Sequence, residues 1–166
     1  MNDASPPPGT HPLHQRYRDP ALAAASHWNS VLETLLDHRS TRAYLPRPVS
    51  EAALATILAA ASSAATSSNL QTWSVVTVRE PARKSRLRAL CANQAHIDEA
   101  PLFLVFLADL ARIETIAAAQ GQAVEGTEFL EMLIIGIVDA TLAAQNAVIA
   151  LESLGDRKSV RVGKEC

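Results

Sequence analysis

Over residues 126–154 the chain offers a helix with almost no polar face. Phe129, Met132, Leu133, Gly136, Ala140, Ala143, Ala147 and Ala150 recur along one stripe, and Ile134, Ile135, Val138, Leu142 and Ile149 cover the other sides. A helix that is apolar nearly all round has to be covered by a core or by a second subunit. Gly136 and the alanines would let a neighbouring element approach closely. The rest of the chain is therefore expected to pack around this element, its longest and most buried helix. Asp139 interrupts the longest apolar run, 133–138, so no segment is expected to span a bilayer.

The preceding segments supply elements that could provide that cover. Ser30-Val31-Leu32-Glu33 has capping-box spacing, and Trp28, Val31, Leu32, Leu35 and Leu36 form one face of a helix ending near His38. Pro46 and Pro48 prevent its continuation. Ser50 is placed to cap a second helix that buries Leu54, Ile57, Leu58 and Ala61. Trp73–Val78 is short and rich in β-branched residues, so a strand is expected. Pro81 opens a basic helix whose Arg83, Lys84, Arg86 and Arg88 read as a solvated face, with Leu87, Leu90 and Cys91 buried. Leu102–Ala108 shows no polar alternation and is expected to be a strand covered on both faces.

Composition narrows the function classes. The chain has 166 residues, 48% of them hydrophobic, enough for one domain with its own core. A formal net charge of −2 gives no reason to expect a nucleic acid or an anionic membrane as partner. Two cysteines, Cys91 and Cys166, make no disulfide framework, and a reducing cytoplasm is expected. Residues 1–20 carry five of the nine prolines, so residues 1–27 are expected to be a disordered leader. The five histidines show no metal-ligand spacing.

Two segments carry chemistry. In an extended His38-Arg39-Ser40-Thr41-Arg42, side chains 38, 40 and 42 share a side and offer an imidazole, a hydroxyl and a guanidinium to a phosphate or an electron-rich ring edge. The same basic string can instead cap the preceding helix and interact with its dipole. Thr66-Ser67-Ser68-Asn69-Leu70-Gln71-Thr72-Trp73 gathers hydroxyls and two carboxamides before a strand. Carboxamides suit a ligand with both donors and acceptors, such as a flavin pyrimidine. A polar loop that satisfies its own backbone has the same composition.

The order and spacing of five blocks resemble the nitroreductase family of FMN enzymes, most closely its NADPH-dependent nitro and flavin reductase branch. The blocks are H-R-S-x-R at 38–42, the Ser/Thr-rich loop ending in Gln71, Gln94 within 92–96, a strand ending in Ala108-Asp109, and D-x-x-x-A-A-Q-N-A-x-x-A-x-E-S-L-G at 139–155. The likeness covers about residues 29–155. Asn69-Leu70-Gln71-Thr72-Trp73 also resembles an N-x-Q-P-W form found in other branches, with Thr72 where proline is usual.

The resemblance implies an α+β fold, an α/β sandwich with a central mixed sheet flanked by helices, incomplete at its C-terminus. His38, Arg39, Ser40 and Arg42 would hold the FMN phosphate and the N1/O2 edge of the ring, with Arg42 tuning the flavin potential. Thr66, Ser67, Asn69 and Gln71 would line the ribityl chain and pyrimidine, and Gln94 would contact the flavin. No side chain need act as acid, base or nucleophile. The complete protein would be a homodimer taking hydride from NADPH or NADH and passing electrons to nitroaromatics, quinones or flavins by a ping-pong cycle. A non-catalytic flavin-binding or helical dimerisation fragment is the competing reading.

After Gly155 the composition changes abruptly, with six of the last eleven residues charged. That string resembles a translated sequencing adapter. Residues 28–155 are therefore expected to form the N-terminal part of the flavin domain, and 156–166 a non-native or disordered tail.

Overall fold

A computed structural model describes residues 12–18, 28–155 and 160–163. The chain divides into two compact units, Met1–Ser40 and Thr41–Cys166. The first holds two short helices, α1 (Pro12–Tyr17) and α2 (Ser30–Asp37). Most of the expected leader lies outside the described residues, but Pro12–Tyr17 within it is helical. Asn29, not Ser30, is the N-cap of α2, accepting a 2.9 Å bond from the Leu32 amide. The capping box therefore does not form, because its serine is already inside the helix. Val31 and Leu35 are exposed rather than buried.

The second unit begins with α3 (Glu51–Ser62), capped as expected by Ser50, whose hydroxyl accepts from the Ala53 amide at 3.1 Å. A 3-10 turn (Ser67–Asn69) leads into β1 (Trp73–Val78), followed by α4 (Pro81–Leu90), α5 (His96–Glu99) and β2 (Leu102–Ala108). Next come α6 (Leu110–Ala119), α7 (Leu130–Ser153) and β3 (Val160–Gly163). The sheet order is β1-β2-β3, with β1 antiparallel and β3 parallel to β2, which makes a mixed sheet in an α+β fold.

Strand alternation divides the core between two layers. Leu102, Leu104 and Phe106 face α3 and α7, where Leu54, Ile57, Ala61, Ala143, Ala147 and Leu151 join them. Phe103 and Val105 turn to the other face, toward Val78, Leu87, Cys91 and Ile97. That second layer covers only one end of the sheet. Leu102, Phe103 and Leu104 are fully enclosed, while Val76 and Leu107 stay exposed, so β2 is covered on both faces over its first half alone.

α7 is the longest described helix, and its small stripe packs as expected: Gly136, Ala140, Ala143 and Ala147 are buried. Leu151 is buried too, but many of the helix's other large residues are not. Phe129, Leu130, Leu133, Ile134, Ile137, Val138 and Leu142 remain exposed. By length and composition alone α7 is apolar enough to cross a membrane, although Asp139 lies buried halfway along it.

Three details depart from the sequence expectation. Leu90 is exposed, and Lys84 occupies the buried position on α4. Its ammonium donates to the carbonyls of Asp98 (2.8 Å) and Ala100 (2.7 Å), so the basic run is not wholly a solvated face. Residues 160–163, expected to lie in a tail outside the fold, pair with Leu102–Val105, and Val160 is buried in the main core. The apolar alternation of Val160 and Val162 is what fits that edge.

Candidate functional site

The loop between α3 and β1 is fixed at both ends. At its start, Asn146 on α7 donates to the Ala60 carbonyl (3.2 Å) and to the Ser63 hydroxyl (3.4 Å), closing the last turn of α3. At its far end the Thr72 carbonyl accepts from the Asp109 amide at 2.9 Å, beside the last rung of the β1–β2 ladder, Trp73 with Ala108. Between them Ser68, Asn69 and Gln71 all hold positive φ, at 49°, 54° and 51°. For residues with a Cβ this left-handed backbone costs about 1–2 kcal/mol each, less for asparagine. It persists only where surrounding contacts over-determine it.

Those contacts come from α7 and α6. Asp139 is 1% exposed, and a buried carboxylate has to be hydrogen-bonded. Its Oδ1 accepts from the Ser67 amide at 3.2 Å. Its Oδ2 accepts from the Thr72 amide at 3.2 Å and from the Thr72 hydroxyl at 3.1 Å. From the other side the Arg112 guanidinium donates to the Gln71 carbonyl. Asp109 caps α6 through the Arg112 amide at 3.1 Å and accepts from the Ser74 hydroxyl. That hydroxyl, with the Arg112 amide and guanidinium, holds the Asp109 carboxyl below the usual aspartate range, against an opposing contribution from partial burial.

Held this way, the loop turns its polar side chains outward. Asn69, Gln71 and Ser67 are exposed and Thr66 is half-buried. The Gln71 amide donates to Asn69 Oδ1 at 3.0 Å. This leaves the Gln71 Oε1 acceptor and the Asn69 Nδ2 donor for a ligand, a pairing that matches the mixed donor and acceptor edge of a pyrimidine-type ring. The donor set therefore fits a flavin, and a loop held in this shape by hydrogen bonds would lose less conformational freedom on receiving one.

The remaining sequence-derived positions distribute unevenly. In the first unit, His38 is the C-cap of α2 with extended backbone, φ −53° and ψ 130°. Arg39 donates to the Leu36 (3.0 Å) and His38 (2.8 Å) carbonyls, and Arg16 donates to the same two at 2.9 and 2.8 Å. Arg39 thus takes the capping role that the sequence left open. Ser40 is exposed. In the second unit, Arg42 is exposed and has no hydrogen-bond or ion-pair partner among the described residues. Thr66, Ser67, Asn69 and Gln71 share the one loop. Gln94 does not join them: it follows Cys91, which packs with Val78 and Phe103 at the opposite end of the β1–β2 hairpin. Six residues of strand, about 17 Å, separate the two ends.

The sequence reading missed Thr72, Asp139, Asp109 and Arg112 as parts of this site. One signal was present: an aspartate alone in the middle of an apolar helix needs a buried partner. Thr72 carried none, since its hydroxyl matters only once Asp139 is opposite it.

Comparison with known proteins places this geometry in context. The Nitroreductase family model matches residues 35–155. A Bacillus subtilis FMN reductase (NADPH) is 38% identical over 128 residues, 76% of this chain and 51% of that protein. A Vibrio harveyi NADPH-flavin oxidoreductase is also 38% identical, over 127 residues. The chain spans about half the length of these curated relatives. Among solved structures, B. megaterium NfrA2 superposes with a TM-score of 0.74 at 40% identity, over 77% of this chain and 52% of that one. A Vibrio harveyi NADPH:FMN oxidoreductase complexed with NAD+ gives 0.70 at 37% identity, over 76% and 53%. With a matched span running from the end of α2 through α7, this chain belongs to the nitroreductase family.

Proposed function

We propose that the complete protein is an NAD(P)H-dependent FMN oxidoreductase. The observation that carries this is the loop 66–72, whose paired Asn69 and Gln71 carboxamides face outward from a left-handed backbone fixed by the buried Asp139. The relatives' names, FMN reductase and NADPH-flavin oxidoreductase, support the same reading. Asn69 and Gln71 would hold the pyrimidine, Thr66 and Ser67 the ribityl chain. His38, Ser40 and Arg42 would serve the phosphate and the N1/O2 edge, with Arg39 divided between that role and the end of α2. Bound FMN would supply the hydride chemistry, so no side chain is assigned as acid, base or nucleophile. Gln94, toward the other end of the hairpin, would contact the flavin away from Gln71, either on the same cofactor or on that of the second subunit.

The electron donor is proposed to be NADPH or NADH, and the acceptors small molecules such as nitroaromatics, quinones or free flavin, served by a ping-pong cycle. A cytoplasmic homodimer completes the reading, with the exposed apolar face of α7 as support for the second subunit. The test is purification of the complete protein with its flavin, followed by NAD(P)H oxidation. Yellow protein that oxidises NAD(P)H is expected. In it, Arg42→Ala should weaken FMN binding by about 1.5–3 kcal/mol, the range for a hydrogen bond to a charged group. Colourless protein that takes up no added FMN would remove the proposal, and unchanged affinity in the variant would remove Arg42 from the site.

A further inference from the structure

The buried charge of Asp139 lies on the core helix, outside the set of residues proposed to touch a ligand. We infer that Asp139 is a positioning residue for cofactor binding: its carboxylate holds the loop 66–72 in the one backbone shape that presents Asn69 and Gln71 together. The inference rests on the proposal that this loop receives a flavin.

The geometry assigns the two oxygens different work. Oδ1 takes the Ser67 amide, at the start of the 3-10 turn, and Oδ2 takes the Thr72 amide and hydroxyl, where the loop enters β1. The three left-handed residues, Ser68, Asn69 and Gln71, lie between these two points. One side chain therefore fixes both ends of the six-residue arc from Ser67 to Thr72, whose middle is strained. Arg112 adds a further hold on the Gln71 carbonyl. Gly136, one turn earlier on the same face of α7, lets the helix come close enough for the short aspartate side chain to reach. A glutamate would be one methylene too long for the same arrangement.

The donor pattern separates this role from simple packing. All three groups facing Asp139 donate, so the site requires an acceptor on each side. Asparagine has almost the same shape but one oxygen and one NH2. Whichever way it is turned, its NH2 opposes a backbone N–H, at Ser67 or at Thr72. If Asp139 only filled space, asparagine would be harmless. If it positions the loop, asparagine fails at one end.

The experiment uses the complete protein and its Asp139→Asn, Thr72→Val and Arg42→Ala variants. FMN dissociation constants are measured by flavin fluorescence, and amide hydrogen exchange is measured on the apoproteins. Asp139→Asn should raise the FMN dissociation constant by about tenfold or more, one such bond being of that size. Exchange at Ser67 or Thr72 should accelerate in the apoprotein by a similar factor while the β1 and β2 amides keep their protection. Thr72→Val removes a single hydroxyl and preserves shape, so it should fold even where Asp139→Asn does not, and should weaken FMN by a smaller factor, about threefold. Wild-type affinity in both variants overturns the inference. So does weakened affinity accompanied by uniform loss of protection across the sheet, because that marks general destabilisation. If wild-type protein binds FMN and Arg42→Ala weakens it while the Asp139 and Thr72 variants do not, the inference fails and the functional proposal stands. No FMN binding by the wild type defeats both.

Discussion

A Cβ placed on Gly136 would stand 3.4 Å from the Thr72 carbonyl oxygen and 3.2 Å from the Ala108 Cβ. Both neighbours belong to the junction where β1 begins and β2 ends, and neither is a flexible side-chain tip. α7 therefore packs directly against backbone at the point that also anchors the candidate loop. Gly136→Ala gains helix propensity of about 1 kcal/mol against a contact tight by a few tenths of an ångström, so its net effect should be small. Gly136→Val adds two methyl groups to the same contact and should cost about 1–3 kcal/mol by overpacking. Urea unfolding of the three proteins checks this. A valine variant as stable as the wild type would mean that α7 and Thr72 are further apart than the structure has them.

Asp109 predicts an acid-side loss of stability. Its carboxyl is held below the usual aspartate value by the Ser74 hydroxyl first, then by the Arg112 amide and guanidinium. A group whose folded pKa is depressed stabilises fully above its unfolded value of about 4, and loses that contribution as pH falls through the folded value. Stability should therefore decline from about pH 5 downward, continuing below pH 4. Asp109→Asn keeps an N-cap acceptor and removes the titration, so its thermal midpoint should fall less over that range. Equal slopes for the two proteins would assign the acid sensitivity to other groups.

Lys84 joins α4 to the end of α5. Lys84→Met keeps most of the apolar stem and leaves the Asp98 and Ala100 carbonyls without their ammonium donor. A loss of about 1–3 kcal/mol is expected in chemical denaturation. The nearby Arg88–Asp98 pair, at 2.8 Å, has both side chains about one-third exposed, so Arg88→Met should cost less, about 1 kcal/mol at most. If the order of the two effects were reversed, the buried lysine would be contributing packing rather than hydrogen bonds.

What the sequence disclosed followed the range of the interactions involved. β1 and β2 were readable to the residue because β-branched and apolar runs bounded by polar residues are local signals. The Ser50 cap and the buried stripe of α3 were readable for the same reason. The N-cap of α2 shifted by one residue, since Asn29 and Ser30 are both competent caps and adjacent. Lys84 and Leu90 were exchanged between inside and outside because two carbonyls from a different helix decide the matter. In the candidate loop, the composition of 66–71 was visible, while the Asp139–Thr72 bonds that shape it join residues 67 positions apart. Gln94 came from the family resemblance as a separate flavin contact, and its place beyond the far end of the hairpin is a long-range outcome that its local sequence does not carry.

The large apolar residues of α7 give the last prediction. Leu130 is 70% exposed, Ile134 53% and Ile137 51%, on a helix whose opposite face is fully packed. Each such side chain left in water forgoes about 1.5–3 kcal/mol of burial. A native domain keeps only about 5–15 kcal/mol in reserve, so a row of them uncovered weighs heavily against a stable monomer. If a second subunit supplies the cover, Ile134→Glu puts an unpaired carboxylate into that interface, at a cost of several kcal/mol. The complete protein carrying Ile134→Glu should then elute as a monomer at concentrations where the wild type is dimeric. Its circular dichroism should stay near wild type, since no buried core position of the described structure is altered. Size-exclusion chromatography with light scattering decides the outcome. A variant that loses its fold together with its dimer would show that the face is covered by the protein's own chain.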